Sequence, residues 1–576
     1  MSTSSRPVEW DLGTEILPQR LEIWAERKGD QPFFYYGEED QTLTFKQFNS
    51  LANQLANSLI ALGIQKGDTV CLLLRNPFIT AISMYGIWKC GAIFAPVNFN
   101  YAARQIAFQI GDTKPKCLIS DVSMIPVLNE IKDGLEGKSV ILYKPSPGQH
   151  DYSEEHANRQ AELKTIDFDS LLTGNDQNPG IELNIWDQAN IIYTSGTTGL
   201  PKGVVQPYRY MVNYNLNRRL VTTSEDVLYT DLPMYHVAAA YQDLGTAVWS
   251  GCKIAVWDKF SPNEFWKRIH KCGASQIQLL DVVMQWLLNN PESPDDKRNS
   301  LKWVHTNPLL PSVHRRLAER FGFDFIVTGY GSTESGNPLA GYIDEELEEG
   351  TPPDLWKGMP KEEMLRRSRE YGLPTISAVK DSELIKKGWL GKPSAYHEIK
   401  IVDEKGMEVP PGTVGEMLIR PKKEHWMIKE YHGRPEATVK AFQDLWYHTG
   451  DAVYQSEEGH YYFVDRIGLV IRRRGENISP LQIEEAANAL SGVLMSAAFP
   501  VPAEEGGENE IALVVVPKEG TAFDEEQFKE DLKSQLPRFM YPKYISFKSE
   551  IPRTATNKIE KYKLRNEIIN ELNLKS

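Results

Sequence analysis

The densest chemistry in the chain lies in thirteen consecutive residues, Ile191-Ile192-Tyr193-Thr194-Ser195-Gly196-Thr197-Thr198-Gly199-Leu200-Pro201-Lys202-Gly203. An apolar run that reads as a strand passes into three glycines, four aliphatic hydroxyls and a lysine. Glycines let successive backbone N–H groups curl around an anion, the hydroxyls add donors, and the lysine adds a full charge. The segment is built for phosphate. It is not a Walker A loop, which needs a second glycine five residues after the first and then Lys-Ser or Lys-Thr. Counting from Gly196, the fifth residue is Pro201, followed by Lys202 and Gly203.

Four further segments carry groups suited to a nucleotide. Tyr330-Gly331-Ser332-Thr333-Glu334 follows the apolar run Phe325–Thr328. Its aromatic ring can stack a purine, and its carboxylate suits a hard cation. Tyr447-His448-Thr449-Gly450-Asp451 ends on a carboxylate able to accept from both hydroxyls of a vicinal diol. Val464-Asp465-Arg466 is followed by Arg474-Gly475-Glu476-Asn477-Ile478-Ser479-Pro480, and the tail holds Pro552-Arg553-Thr554-Ala555-Thr556-Asn557-Lys558. Taken singly, each has a plainer reading: a Tyr-Gly turn, an Asp closing a strand turn, a solvated lysine.

In this order the segments resemble the adenylate-forming superfamily, which includes acyl-CoA synthetases, peptide-synthetase adenylation domains and firefly luciferase. The resemblance covers nearly the whole chain. It implies an ATP-dependent, AMP-forming ligase that activates a carboxylic acid as its adenylate and passes the acyl group to CoA, using Mg²⁺. Thr194, Ser195, Gly196, Thr197, Thr198, Gly199 and Lys202 would then surround the phosphates. Gly329, Tyr330, Gly331, Ser332 and Thr333 would meet adenine and the α-phosphate, Glu334 would hold Mg²⁺, and Asp451 and Arg466 would grip the ribose. Lys558 would bridge acid and α-phosphate during adenylation, and Gly475 would enter for the thiol step. The catalytic set implied is Thr194, Lys202, Glu334, Gly475 and Lys558. Two departures stand out: Gly468 occupies the hinge position where the family carries Asp or Lys, and Asn557 replaces a family glycine.

The elements that must position these groups are legible as βα alternation from about residue 45 to 330. Strands are expected at Thr69–Leu74, Lys116–Ser120, Val140–Tyr143, Ala189–Thr194, Val227–Leu232, Lys253–Trp257, Gln276–Leu280 and Phe325–Thr328. Helices are expected at Phe45–Leu62, Tyr208–Leu220 and Pro262–Lys271. The fold class is α/β: a large N-terminal domain (1–467) of mostly parallel, helix-flanked sheets with a small β-rich part after Tyr396, then a small mobile α+β domain (468–576). Ligand sites in such sheets gather at the carboxyl ends of strands. The charge-rich stretch 343–388 reads as a surface insertion or lid.

Bulk properties narrow the partners. A net charge of −14 disfavours nucleic acid and anionic membranes. The run Arg472-Arg473-Arg474 reads equally as an anion funnel and as a solvated face. The five cysteines include no CxxC, and the eleven histidines form no HExxH, so neither a disulfide framework nor a zinc site is expected. With no apolar leader and no stretch suited to spanning a bilayer, the expected location is the cytoplasm. The expected partners are the acid, ATP and CoA, with homo-oligomerisation left open.

The acid is the least legible part. The resemblance puts Tyr235, His236, Tyr241, Asp281 and Asn307 at the acyl pocket. The stretch 259–336 looks like the bacterial crotonobetaine/carnitine–CoA ligase branch, which implies a betaine. On that reading Asp281, or Asp243, faces the cation, with Tyr235 or Tyr241 beside it. The plainer role for Asp281 is a helix N-cap. Alternatives are a short- or medium-chain fatty acyl-CoA synthetase and an enzyme loading a separate carrier protein. From other classes come a kinase or ATPase, which the Walker spacing disfavours, and a non-catalytic nucleotide-binding relative.

Overall fold

The computed structural model describes residues 12–572 except 195–200, 308, 310, 374, 470, 474–475, 479, 504–508, 521–522, 539 and 554–558. The chain forms two compact units. The first comprises Met1–Ser382, Gly391–Glu398 and Pro421–Lys440; the second comprises Glu383–Leu390, Ile399–Arg420 and Ala441–Ser576.

In the first unit one sheet runs in the order Glu430–Tyr431, Lys202–Pro207, Gln188–Thr194, Ile93–Pro96, Thr69–Leu73, Cys117–Asp121, Ser139–Tyr143, Thr165–Asp167. Pairing is parallel from Gln188–Thr194 onward and antiparallel across the first three strands. A second series runs Gly336–Asp344, Phe325–Ser332, Trp303–Thr306, Gln276–Leu279, Val227–Thr230, Lys253–Val256, Pro32–Tyr36, Gln41–Thr44. It is parallel through its middle, with an antiparallel pair at each end. The helix Pro77–Lys89 shows why both layers close: nearly all of its residues are buried, as expected for an element apolar on every side. Its Gly86 lets the helix Phe45–Ala61 approach so closely that an added Cβ would meet Leu55 at 2.8 Å. Lys89, buried at its end, is neutralised by Glu22 at 2.5 Å.

One expectation needs correction. The helix expected over Tyr208–Leu220 is two, Tyr208–Tyr214 and Leu216–Arg219, broken at Asn215. Part of the stretch 343–388, expected as an insertion or lid, is packed on the body of the first unit. Met359, Met364 and Leu373 join a buried cluster with Val221, Trp303, Phe325 and Tyr342, and the helix Lys361–Glu370 rests on it. Glu345 is buried, accepting from His314 Nδ1 at 2.7 Å and from Arg315 at 3.1 Å.

A polar cluster adds a pH dependence. His150 Nδ1 lies 2.9 Å from Glu39 and Nε2 lies 2.8 Å from Asp258, to which the Tyr36 hydroxyl also donates at 2.7 Å. Burial pulls the imidazolium pKa down, but hydrogen bonds to Asp258 and Glu39 and the charges of Asp258 and Asp151 outweigh it and carry the value from 6.5 to about 9. A group raised in the folded state contributes its full stability below the unfolded pKa and loses it as pH rises through the folded one. The Tm gap between wild type and His150→Gln should therefore be widest below pH 6.5 and close as pH passes 9. A gap constant across that window would rule out this linkage.

In the second unit, Gly415–Pro421, Tyr447–Gln455 and Tyr461–Arg466 form an antiparallel sheet. A three-stranded sheet follows, with Asn509–Pro517 between Val493–Pro502 and Tyr544–Phe547. One face packs on the helices Pro480–Asn488 and Glu525–Gln535 through Ile483, Phe528 and Leu532. The other packs on Lys561–Glu571 through Leu564 and Ile568. Among the described residues no helix is long and apolar enough to cross a membrane.

Candidate active site

The phosphate-loop strand does not lead into a helix. Gln188–Thr194 turns back as Lys202–Pro207, an antiparallel hairpin with Thr194 opposite Lys202. That places the ends of the glycine-rich segment side by side. Ser195, Gly196, Thr197, Thr198 and Gly199 lie outside the described residues. Lys202 Nζ sits 4.9 Å from the centre of the Tyr431 ring, and the Tyr431 hydroxyl donates to Glu334 Oε1 at 3.0 Å. Tyr431 reaches this position because its strand pairs with the hairpin, opposite Val204. A lysine, a phenol and a carboxylate thus form one connected group.

Glu334 occupies the turn between the antiparallel strands Phe325–Ser332 and Gly336–Asp344. The turn is held from behind. Tyr210 Oη donates to the Thr333 carbonyl at 2.7 Å, Gln206 Nε2 to the same carbonyl at 3.0 Å, and Asn213 Nδ2 to that of Ser335 at 2.8 Å. Asn213 approaches so closely that a Cβ on Gly336, where φ is +72°, would lie 2.2 Å from its amide nitrogen. The carboxylate is therefore presented by a backbone fixed independently of its side chain, as a hard-cation ligand requires.

Beside Gly329, Tyr330 and Gly331, at the carboxyl ends of the parallel strands, lies a cavity of about 20 Å³. Asn307 and His305 of the same segment share its lining, as do Arg218, Gln242, Trp303 and Thr328, which sequence reasoning passed over. Arg218, in the short helix after the break at Asn215, is buried, and its guanidinium lies 4.9 Å from the Trp303 ring. His305 is within hydrogen-bonding distance of Gln242, 3.1 Å. Burial first, and then the charge of Arg218, push its pKa down to about 3, so the ring is neutral.

The other expected pocket residues are placed differently. Tyr235 packs edge-on against Phe99 at 5.4 Å, and His236 Nδ1 accepts from the Ala238 N–H at 3.2 Å. Tyr241 is fully buried in the π-helical segment Ala238–Leu244, between Trp88 and Tyr214. Asp243 is not free to face a cation, because its carboxylate is buried in an ion pair with Arg218. Asp281 is the first residue of the helix Asp281–Asn289, and the N-cap position falls on Leu280.

In the second unit Asp451 and Arg466 sit opposite each other across two strands, with Arg466 Nε 3.0 Å from Asp451 Oδ1. Arg466 also donates to the Thr449 carbonyl at 3.1 Å. The acid is buried and the arginine is nearly half exposed, so the pair offers its open side to a ligand. Nearby, Lys561 Nζ bridges Asp465 at 3.1 Å and Glu484 at 2.9 Å, and this carboxylate pair outweighs burial and holds the ammonium charged. Gly468 lies in a short 3₁₀ turn with open space where a Cβ would stand, so its present conformation does not require glycine. Gly475 and Lys558 lie outside the described residues.

Residues 21–432 match the AMP-binding enzyme family, and residues 482–558 match the AMP-binding enzyme C-terminal domain. The chain is 26% identical to a crotonobetaine/carnitine–CoA ligase of Citrobacter koseri, over 96% of this chain and 99% of that one. In fold it is similar to ATP-bound MatB from Rhodopseudomonas palustris (TM-score 0.76, 21% identity, 96% of this chain and 99% of that one). It is also similar to the O-succinylbenzoate CoA synthetase of Bacillus subtilis in complex with ATP and magnesium (TM-score 0.72, 22% identity, 95% and 98%).

Proposed function

The chain belongs to the AMP-binding enzyme family, and we propose that it is an ATP-dependent, AMP-forming ligase joining a short, polar carboxylic acid to CoA. The observation that carries this reading is the linked group Lys202–Tyr431–Glu334 at the mouth of the phosphate hairpin. A cation and a carboxylate held in one group suit a magnesium–phosphate complex.

The acid carboxylate attacks the α-phosphorus of ATP, and pyrophosphate leaves. A thiolate then attacks the mixed anhydride, and AMP leaves. The protein contributes alignment and charge. Thr194 and Lys202 steady the phosphates at the two ends of the loop that also carries Ser195, Thr197 and Thr198. Tyr431 orients the Glu334 carboxylate. Magnesium held by Glu334 would supply neutralising charge to the phosphate oxygens. Asp451 is suited to accept from the ribose hydroxyls, with the Arg466 guanidinium beside it. Lys558 for the developing charge and Gly475 for the thiol step rest on the resemblance of their segments.

Support for a short, polar acid comes from the cavity beside Gly329–Gly331, which is small and lined largely by amides and hydroxyls. A second reading, a betaine acid such as crotonobetaine or carnitine, draws on the relative of that name and on the rings of Tyr214, Trp303 and Tyr330 around the cavity. The test is a pyrophosphate-release screen over short acids, with and without CoA. The expected result is acid-dependent pyrophosphate, with AMP and an acyl-CoA formed once CoA is present. ADP as the product, or no pyrophosphate with any acid, would refute the reading.

A further inference from the structure

Arg218 is a buried arginine that lines the cavity beside Gly329–Gly331. Its Nη1 is paired with Asp243, and its Nε donates to Gln276 Oε1 at 3.0 Å. Its Nη2 is buried and has no hydrogen-bond partner among the described residues. The same holds for Thr328 Oγ1 and Asn217 Oδ1, and all three residues line the cavity beside Gly329–Gly331. Asp243 stands behind the arginine and is not part of the lining, and among the described residues no carboxylate is. A desolvated guanidinium N–H left unpaired is costly, and the cost disappears when an acceptor oxygen enters.

We propose that Arg218 determines acid specificity by receiving an oxygen-bearing, anionic group at the end of the acid remote from the activated carboxyl, so that short dicarboxylates are the preferred substrate class. This deepens the ligase reading and rests on it for which carboxyl reacts. Three occupants compete for the cavity. An alkyl end would leave Nη2 and the Thr328 hydroxyl unpaired. A trimethylammonium would press a second cation against the guanidinium with no lining carboxylate to offset it. A carboxylate accepts from Nη2 and Thr328 together. His305 strengthens the preference, since as a neutral ring it adds no competing charge while its contact with Gln242 fixes its orientation.

The test uses the full-length enzyme and a panel of succinate, glutarate, adipate, hexanoate and crotonobetaine. The readouts are kcat/KM by pyrophosphate release and acid affinity by calorimetry. At least one dicarboxylate should exceed both hexanoate and crotonobetaine by about 10²-fold, the scale of the roughly 1–3 kcal/mol cost of a buried polar group left without its partner. Arg218→Met alone would strand Asp243 and risks misfolding, so the informative variant is Arg218→Met with Asp243→Leu, which removes both charges. It should lose the dicarboxylate preference and gain relative activity on hexanoate, with KM for ATP unchanged. Wild-type preference for hexanoate or crotonobetaine overturns the proposal, as does a double variant with unchanged selectivity. Arg218-dependent dicarboxylate binding without pyrophosphate release would leave the Arg218 site standing and refute the ligase reading instead.

Discussion

Glu334→Gln is expected to slow acid-dependent pyrophosphate release by about 10²–10³, the scale of one lost electrostatic contact to the transition state. The substitution keeps the shape of the side chain and an oxygen to accept from the Tyr431 hydroxyl, which now lies 3.0 Å from Oε1. It removes the charge that a hard cation selects. The turn itself should not move, because Tyr210, Gln206 and Asn213 hold its carbonyls without using the Glu334 side chain. Tm should therefore stay near the wild-type value while the magnesium concentration for half-maximal rate rises. Tyr431→Phe should give a milder loss of about tenfold, since one hydrogen bond to a charged group is worth about 1.5 kcal/mol. An unchanged magnesium dependence in Glu334→Gln would remove this residue from the metal role.

Lys558→Ala should abolish most adenylation, by about 10²–10³, while leaving transfer from a supplied acyl-adenylate to CoA intact. Gly475→Leu should do the opposite. The proposal behind the pair is that a C-terminal piece beginning near 468 alternates between two faces, each serving one half-reaction. Lys558 matches the family's adenylation lysine in a segment where Asn557 replaces glycine, and asparagine is the residue best able to keep a left-handed turn. The two half-reactions are assayed separately: pyrophosphate release from ATP and acid, and thioester formation from synthetic adenylate and CoA. Equal slowing of both by Lys558→Ala would dispose of the alternation.

The cavity arginine shows where reading from sequence stopped. Asn217-Arg218-Arg219 has the composition of a solvated helix end, and nothing local marks it as core. Both arginines are in fact buried, with their guanidinium groups 4.9 Å from the Trp303 ring and 3.9 Å from the Trp249 ring. The tryptophans and Asp243 that make this tolerable lie tens of residues away in the chain. The same holds for Tyr431, which meets Glu334 only because a two-residue strand joins the edge of the hairpin. Within 343–388, Glu345 and Lys361 likewise find partners, His314 and Asp324, that no short window contains.

By itself the sequence determined the donor-rich composition of the glycine segment, the alternation of strands and helices, and the small α+β C-terminal part. These follow from local causes: glycine geometry, hydroxyl and lysine donors, and the periods of apolar residues. Tertiary structure alone decided which groups face one another. It set Thr194 opposite Lys202, joined Tyr431 to Glu334, turned Asp243 away from any ligand and onto Arg218, and left one guanidinium N–H group unpaired in the cavity. Such pairings depend on strand order and burial, and whether a buried charge is tolerated is settled by partners distant in sequence, which no local pattern encodes.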